Sequence, residues 1–424
     1  MKLLILGGGF GGLKLATKLS NKAGFEITLI DKFNHHQFQP LFYQVATSGL
    51  DASSISFPLR KIFHKSNNIH FRLAEVEKII TEQNKVVTNI GEFEYDVLVI
   101  ATGAGTNFFG NQNLMDHAMP MKSTTEALQL RYKLLDNFEQ ALSAKNEDEL
   151  QRLMNIVIVG GGPTGTELSG AIADMRRFVL PKDYPELDFS KMKIYLLEGS
   201  GKTLAAMSEK SSEDSYKYLN KLGVTVMLNN VVKDYDGQNI TLQNGNTIPT
   251  ATVIWAAGIK GNIPEGINKE LIAKGNRIRV DRHCLVEGFH NIYAIGDVAY
   301  MEEPDYPHGH PQLSPVAIQQ GALVAKNLLH IVKDKDKAKL NVFSYFDKGS
   351  MATVGRNLAV VDLSKPKLHF RGFIAWMLWM GVHLMLILGV KNRFFIFLNW
   401  LYNYFTYDQN LRLIFREPNG LSEL

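Results

Sequence analysis

Short unbroken apolar runs alternate with helix-period segments along this chain, and the pattern is laid down twice. Lys2 to Leu6 is an apolar run that fits a buried parallel strand, Leu13, Leu15, Ala16 and Leu19 fit a helix packed on it, and FEITLID supplies a second strand ending in Asp31. YDVLVIATG then closes the first unit at Gly103. The second unit runs from NIVIV through KIYLLE, ending in Glu198, to ATVIWAAG, ending in Gly258. Gly7 to Gly103 is 96 residues and Gly160 to Gly258 is 98, so two homologous halves fit better than one domain with a stray motif.

Each unit places a glycine loop between its first strand and its helix: Gly7-x-Gly9-x-x-Gly12 and Gly160-x-Gly162-x-x-Gly165. The first glycine permits the tight turn, the second lets backbone approach a pyrophosphate, and the third lets helix and strand pack closely. The helix N-terminus adds partial positive charge. An acid at the end of the following strand, Asp31 or Glu198, is placed to accept ribose hydroxyls. A polar insert from about Arg176 to Met192 stretches the spacing to Glu198. The expected fold is therefore α/β, with two Rossmann-like dinucleotide-binding domains.

Between the halves, Asn107 to Leu153 is mostly polar and helical. FHNIYAIGDVAY predicts a late strand with a Gly296-Asp297 turn, followed by a helix over PVAIQQGALVAKNLLHIV, so the first unit is interrupted by the second and completed near residues 280 to 330. The expected boundaries are 1–110 and 276–335 for the first nucleotide domain, 111–153 for a helical connection, 154–275 for the second domain, 336–364 for a connecting segment and 365–424 for C-terminal helices. Ile69 to Ile90 and Val224 to Ile248 read as β inserts without chemistry. The lysine and apolar run at the N-terminus superficially suggest a secretory signal, but glycines fill its centre and no small-residue cleavage site follows, so it reads as the first strand and turn.

The tail changes the picture. Phe373 to Val390 is 18 residues without Lys, Arg, Asp or Glu, which reaches the lower bound for a membrane span. His383 lies within it, Arg371, Lys391 and Arg393 flank it, and three of the four tryptophans (Trp376, Trp379, Trp400) fall in this region. Basic and aromatic residues together favour helices lying in a membrane interface over one crossing it, with a buried core or dimer helix as the other reading. Residues 365 to 424 hold seven basic side chains against three acids, which accounts for the whole formal net charge of +4. The balanced remainder argues against nucleic-acid binding. A lone cysteine, Cys284, excludes an internal disulfide, a Cys-rich zinc site and a paired-thiol redox centre, so redox chemistry requires a bound cofactor. His35 with His36, and His308 with His310, lack further ligands, and no metal site is expected.

The order of GxGxxG, ATG, GxGxxG, AAG and GD resembles the two-dinucleotide-binding-domain flavoprotein oxidoreductases. Within them, FQPLFYQVATSGL, GGGPTGTELSG, AIGDVA, PVAIQQG, DKGSMATVGRNLAVVD and the aromatic C-terminus resemble the type II NADH dehydrogenases, single-subunit and non-electrogenic NADH:quinone oxidoreductases. The resemblance covers essentially the whole chain. It implies non-covalent FAD held by Gly7, Gly9, Phe10, Gly11, Gly12, Asp31, Lys32, Thr102, Gly103, Gly296 and Asp297, and NADH held by Gly160, Gly162, Gly165, Glu198 and Gly258. A carboxylate at the ribose favours NADH over NADPH, with Lys202 nearby as the contrary sign.

By the same resemblance, Glu167 lies near nicotinamide and flavin, where it positions the ring; a helix-start acid with only a stabilising role is its plainer reading. Gln319 and Gln320 are the quinone-side candidates, because Pro315 occupies the position where the family often has an earlier glutamine; Gln319 is the better of the two and the catalytic candidate beside Glu167, with a helix polar residue facing solvent as its plainer reading. The implied partners are NADH, a membrane quinone and the bilayer surface, with a homodimer as a further possibility, and the implied location is the cytoplasmic face of the cell membrane. Two other classes compete. A sulfide:quinone oxidoreductase would need several cysteines, and a redox-sensing FAD/NADH interaction protein would need no quinone site.

Overall fold

The computed structural model describes residues 1–334, 340–409 and 411–415. It contains two compact units: Met1–Gln37, Ser56–Gly105 and Ile259–Asp347 form one, and Phe38–Ile55, Thr106–Gly258 and Lys348–Leu424 the other.

The first unit is built on a parallel sheet of five strands, in the spatial order Ile292–Ala294, Val97–Ile100, Lys2–Leu6, Glu26–Asp31 and Ile69–Leu73. Its central strands read as continuous apolar runs because both faces are covered, and Leu3 to Leu6 are essentially inaccessible. The helix Phe10–Leu19 packs against Ser314–Asp334. Gly321 makes this contact close, since a Cβ there would fall 2.4 Å from the Gly11 carbonyl oxygen.

The second unit repeats the plan with Val224–Leu228, Ile194–Glu198, Ile156–Val159 and Thr252–Trp255, again parallel and in the same order of third, second, first and fourth strand. The two supposed inserts are thus only partly inserts. Ile69–Leu73 and Val224–Leu228 complete the parallel sheets, while Val76–Ile80 with its two partners and Val232–Tyr235 with its two partners form small antiparallel sheets. The polar connection supplies the helix Thr124–Ala141, started by a capping box in which Ser123 and Glu126 satisfy each other's amides.

A three-stranded antiparallel sheet, Ser350–Gly355, Leu358–Leu363 and Leu368–Arg371, packs on the helix Pro163–Phe178 of the second unit. Gly170 permits the approach: a Cβ there would lie 1.5 Å from the Val354 carbonyl oxygen. Gly170→Ala should therefore cost about 3 kcal/mol through overpacking against backbone, read as a fall of several degrees in the unfolding temperature of the purified protein. An unchanged temperature would mean that the sheet is not seated on this helix.

The apolar tail is two helices, Gly372–Leu386 and Val390–Thr406, separated where Gly389 takes φ +79°. The first has 15 residues, about 22 Å at 1.5 Å per residue, against a hydrocarbon core of about 30 Å. No helix among the described residues is long and apolar enough to cross a membrane. His383 belongs to the inward face with Ala375 and Trp379, stacked 4.0 Å from the Trp379 ring and bonded through Nδ1 to the Trp379 carbonyl at 2.8 Å. Burial pushes its pKa down to about 4, so it is neutral.

Candidate active site

Both glycine loops have the same internal architecture. A Cβ on Gly7 would sit 2.3 Å from the Ala101 carbonyl oxygen and one on Gly12 would sit 1.9 Å from that of Gly7. In the second loop the equivalent distances are 2.6 Å for Gly160 against Ala256 and 1.9 Å for Gly165 against Gly160. The middle glycines differ: nothing lies within 4 Å of a Cβ on Gly9 or Gly162. Each of these two residues is the N-cap of a helix that no side chain caps. Two uncapped helix N-termini with open space before them are cradles that fit a pyrophosphate group.

The strand-end acids are equivalent too. Asp31 Oδ2 accepts the Gly8 N–H at 2.6 Å and Oδ1 that of Phe33 at 2.7 Å. Glu198 Oε2 accepts the Gly161 N–H at 2.5 Å and Oε1 that of Ser200 at 2.7 Å. The polar insert that stretches the sequence spacing leaves the geometry untouched, because it lies between the helix and the strand. Burial raises the Asp31 pKa, and the two backbone N–H groups oppose the rise. Lys202 is tied to Glu209 at 2.7 Å.

Thr102 donates its hydroxyl to the Asn262 carbonyl at 2.5 Å, beside Gly103 at φ +67°. Phe10 meets His36 edge-on at 5.1 Å, Gly11 is buried, and Lys32 is exposed, its ammonium 5.4 Å from the Phe33 ring. In the Gly296-Asp297 turn, Gly296 has φ +75° and donates its N–H to Gln320 Oε1 at 2.7 Å, while Gln312 donates to the Asp297 carbonyl at 2.9 Å. Gln319 binds both backbone polar groups of Phe346, at 3.0 and 2.9 Å. The two glutamines thus hold, respectively, the turn and the segment that follows their helix. Gly258 accepts the Asn107 N–H at 3.1 Å.

Glu167 lies in the second turn of Pro163–Phe178 and is buried, with Oε1 accepting the Thr353 N–H at 3.3 Å. The helix start does not keep it anionic. Burial pushes its pKa up to about 8, and the Thr353 N–H and the Trp379 indole, which approaches without a hydrogen bond of normal length, offset this only in part. Its folded pKa thus exceeds the ordinary 4.5, so the native state binds this proton more tightly than the unfolded chain. The associated stability is present below pH 4.5 and is lost as pH rises through about 8. Glu167→Gln removes this dependence, so the variant's unfolding temperature should gain on that of the parent across this window. Parallel curves would place the carboxyl in contact with water.

Around Glu167 the second unit holds two adjoining pockets. One is lined by Glu167, Ala171, Asp174, Thr353 and Arg356, and the other by Asp174, Phe178, Arg356, Trp376, Trp379, Trp400, Tyr404 and Tyr407; Tyr43, Gln44 and Gln409 line both. The Arg356 guanidinium lies 4.2 Å from the Tyr404 ring centre and 3.6 Å from that of Tyr407, and its NH2 donates to the Tyr404 carbonyl. Trp400 donates to Gln44 at 2.7 Å, and Gln44 to the Tyr43 hydroxyl at 2.8 Å. Among the described residues, Trp379 Nε1, Arg356 Nε and Gln409 Oε1 are buried without a hydrogen-bond partner. Sequence reading missed Asp174 and Arg356. The available signal was that Asp174 follows Glu167 by seven residues, on the same helix face.

Residues 1–321 match the pyridine nucleotide-disulphide oxidoreductase family and residues 348–407 the NDH2 C-terminal domain. The type II NADH:quinone oxidoreductase Ndh of Mycobacterium tuberculosis is 34% identical over 94% of this chain and 87% of its own length. This chain belongs to the type II NADH:quinone oxidoreductases. The Staphylococcus aureus member is 29% identical over 84% of this chain and 87% of its own length. In fold, the chain is similar to NDH2 from Plasmodium falciparum in complex with NADH, with TM-score 0.88, 21% identity and coverage of 96% of this chain and 99% of that one. The sulfide:quinone oxidoreductase of Aquifex aeolicus shares the architecture at TM-score 0.70 and 20% identity, covering 92% of each chain. The type II NADH:quinone oxidoreductase is an FAD-dependent enzyme, and NADH and quinone are its substrates. Among the described residues no group of side chains could hold a metal.

Proposed function

We propose that each glycine loop serves one dinucleotide and that quinone enters the aromatic pockets beside Glu167. In the first unit, FAD would be held at Gly7, Gly9, Phe10, Gly11 and Gly12, by Asp31 and Lys32 at the adenosine end, and by Thr102, Gly103, Gly296 and Asp297 along the chain of the cofactor. The open front of Gly9 and the fixed Asp31 carboxylate support this assignment. When bound, FAD supplies acceptance of a hydride equivalent and release of two electrons.

NADH would lie on Gly160, Gly162, Gly165 and Gly258 with its adenosine ribose at Glu198. That carboxylate is fixed by two backbone N–H groups and repels a 2′-phosphate, and the nearby Lys202 is neutralised by Glu209. Glu167 is five residues from Gly162, about 7 Å along the helix, within reach of the nicotinamide riboside beyond a pyrophosphate seated at the loop. As an uncharged carboxyl it orients the ring and leaves the hydride path free of a fixed negative charge.

The single observation that carries the quinone assignment is the unpaired, buried Arg356 Nε donor in a pocket walled by aromatic rings. A quinone offers flat π faces and two carbonyl acceptors, so it satisfies both features at once. Gln319 and Gln320, whose amides are engaged with Phe346 and Gly296, would act as positioning residues for those segments of the first unit. The exposed apolar face of the two C-terminal helices attaches the enzyme to the bilayer surface, on the cytoplasmic side where NADH is available. A homodimer formed through the same face would show as a doubled mass in the absence of lipid.

Flavin absorbance in the holoenzyme tests the scheme. Mixing with NADH should bleach it, and subsequent mixing with a short-chain quinone should restore it. Bleaching that quinone fails to reverse would remove the quinone assignment, and no bleaching would remove that of the second loop.

A further inference from the structure

Reduction of a quinone by NADH takes up one proton from solution: NADH, H⁺ and quinone give NAD⁺ and quinol. A group that supplies it must reach the quinone pocket, exchange with solvent and tolerate the charge left behind. Two carboxyls line the pockets, Glu167 and Asp174. They stand seven residues apart, two turns of one helix, about 10 Å along its axis.

Their surroundings differ. Glu167 is deeply buried and faces Thr353, Trp379 and the Tyr43 phenol. Asp174 lines both pockets, and its Oδ2 accepts the Arg356 N–H at 3.0 Å, whereas Oδ1 accepts no hydrogen bond among the described residues. The charged and titratable groups around Asp174 are Arg356 from the Ser350–Leu363 hairpin, Arg177 and Glu167 from its own helix, Tyr43 from Phe42–Ala46, and Tyr404 and Tyr407 from the C-terminal segment. An anion at Glu167 would be buried without a cation, which costs several kcal/mol. An anion at Asp174 meets two guanidinium groups.

The geometry points to Asp174 as the acid that gives the solution proton to a quinone oxygen. This rests on the quinone assignment made above. The Asp174 O–H bond breaks and one quinone O–H bond forms, while the electron pair and the second quinol hydrogen, both originating in the NADH hydride, would come from the NADH-reduced cofactor. The carboxylate left behind is favoured by the nearby charges of Arg356 and Arg177 and recovers its proton from solution. Arg356 is a positioning residue toward Asp174 through its backbone N–H. Burial, outweighing the Arg356 N–H and the two guanidinium charges, pushes the Asp174 pKa up to about 6, which leaves part of the population protonated near neutral pH.

The test uses holoenzyme of the parent, Asp174→Asn and Asp174→Glu, each with its FAD content measured. Three quantities are read: flavin bleaching by NADH, flavin recovery with a short-chain quinone between pH 5 and 9, and quenching of tryptophan fluorescence by the same quinone. The fluorescence reading reports binding, since three of the four tryptophans line the pocket. In the parent, recovery should slow as pH rises through about 6. Asparagine should slow recovery about 100-fold and abolish that dependence, with bleaching and quenching unchanged, and glutamate should restore a pH-dependent limb. Asparagine recovering at the parental rate with the parental pH limb would overturn the proposal. If asparagine impairs folding, a glutamate variant whose limb coincides with the parent's would overturn it as well. A failure of the quinone assignment is separable: quinone quenching would then be insensitive to Arg356→Met, whatever Asp174 does.

Discussion

Replacing Phe394, Phe397, Leu401 and Phe405 together by serine should release the enzyme from lipid vesicles. These side chains are spaced by three and four residues on one face of Val390–Thr406 and are 57%, 45%, 43% and 72% exposed. Phe373, Ile374, Met377 and Met385 extend the apolar surface on the preceding helix. An apolar face of this size on a folded protein marks an interaction surface. Each side chain contributes about 1.5 to 3 kcal/mol when fully buried. Immersion in the interface realises part of that, so four replacements should weaken partitioning about 1,000-fold or more, equivalent to about 4 kcal/mol.

The structure also revises the weight given to charge. Of the basic residues in the tail, Arg371 pairs with Asp214, Arg393 donates to the Ile387 carbonyl, and Arg412 pairs with Asp183 and Asp408. The proposed attachment would therefore be mainly apolar, and vesicle binding should persist at high salt. Sedimentation with vesicles of mixed neutral and anionic phospholipid checks both expectations. A quadruple variant that still sediments would transfer the anchor elsewhere, and loss of the parent at high salt would restore charge as the main term. Flavin bleaching by NADH should not change, because none of the four residues belongs to the nucleotide loops.

Arg356→Met is expected to raise the KM for quinone about 30-fold while leaving flavin bleaching by NADH within twofold of the parent. Methionine keeps an apolar stem of similar length but removes the unpaired Nε donor and the two contacts with the Tyr404 and Tyr407 rings. A hydrogen bond from a charged group contributes about 1.5 to 3 kcal/mol, or about 10- to 150-fold in affinity. Parallel steady-state titrations with quinone and with NADH separate the effect from a general loss of folded enzyme. A quinone KM within twofold of the parent would contradict the role given to the guanidinium.

Much of this architecture is legible along the chain, and where it fails to be legible there is a physical cause. Gly7, Gly12, Gly160 and Gly165 are read from spacing because the contact each one makes is with backbone a few residues away or at the next strand end. The duplicated sheets follow from apolar strand runs, but Ile69–Leu73 and Val224–Leu228 do not announce whether they join a parallel sheet, since strand composition carries no partner. The apolar run Phe373 to Val390 is continuous in hydropathy while the helix ends at Leu386, a break expressed through the left-handed backbone of Gly389. Glu167 is at the expected place on its helix, but the seated sheet buries it, so desolvation outweighs the helix dipole. Asp174, Arg356, Tyr43 and Tyr404 come from four distant segments and share no periodicity; only the packing of the hairpin and of Phe42–Ala46 onto Pro163–Phe178, with the first tail helix seated on the hairpin sheet, brings them together.

The most direct test of the account is photoaffinity labelling of the membrane-bound holoenzyme with an azido-quinone, followed by mapping of the modified peptides. Labels within residues 353–357, 376–380 and 400–409, competed away by unmodified quinone, are the result the account predicts. Competed labels confined to the segments around Gln319, Gln320 and Phe346 would contradict it.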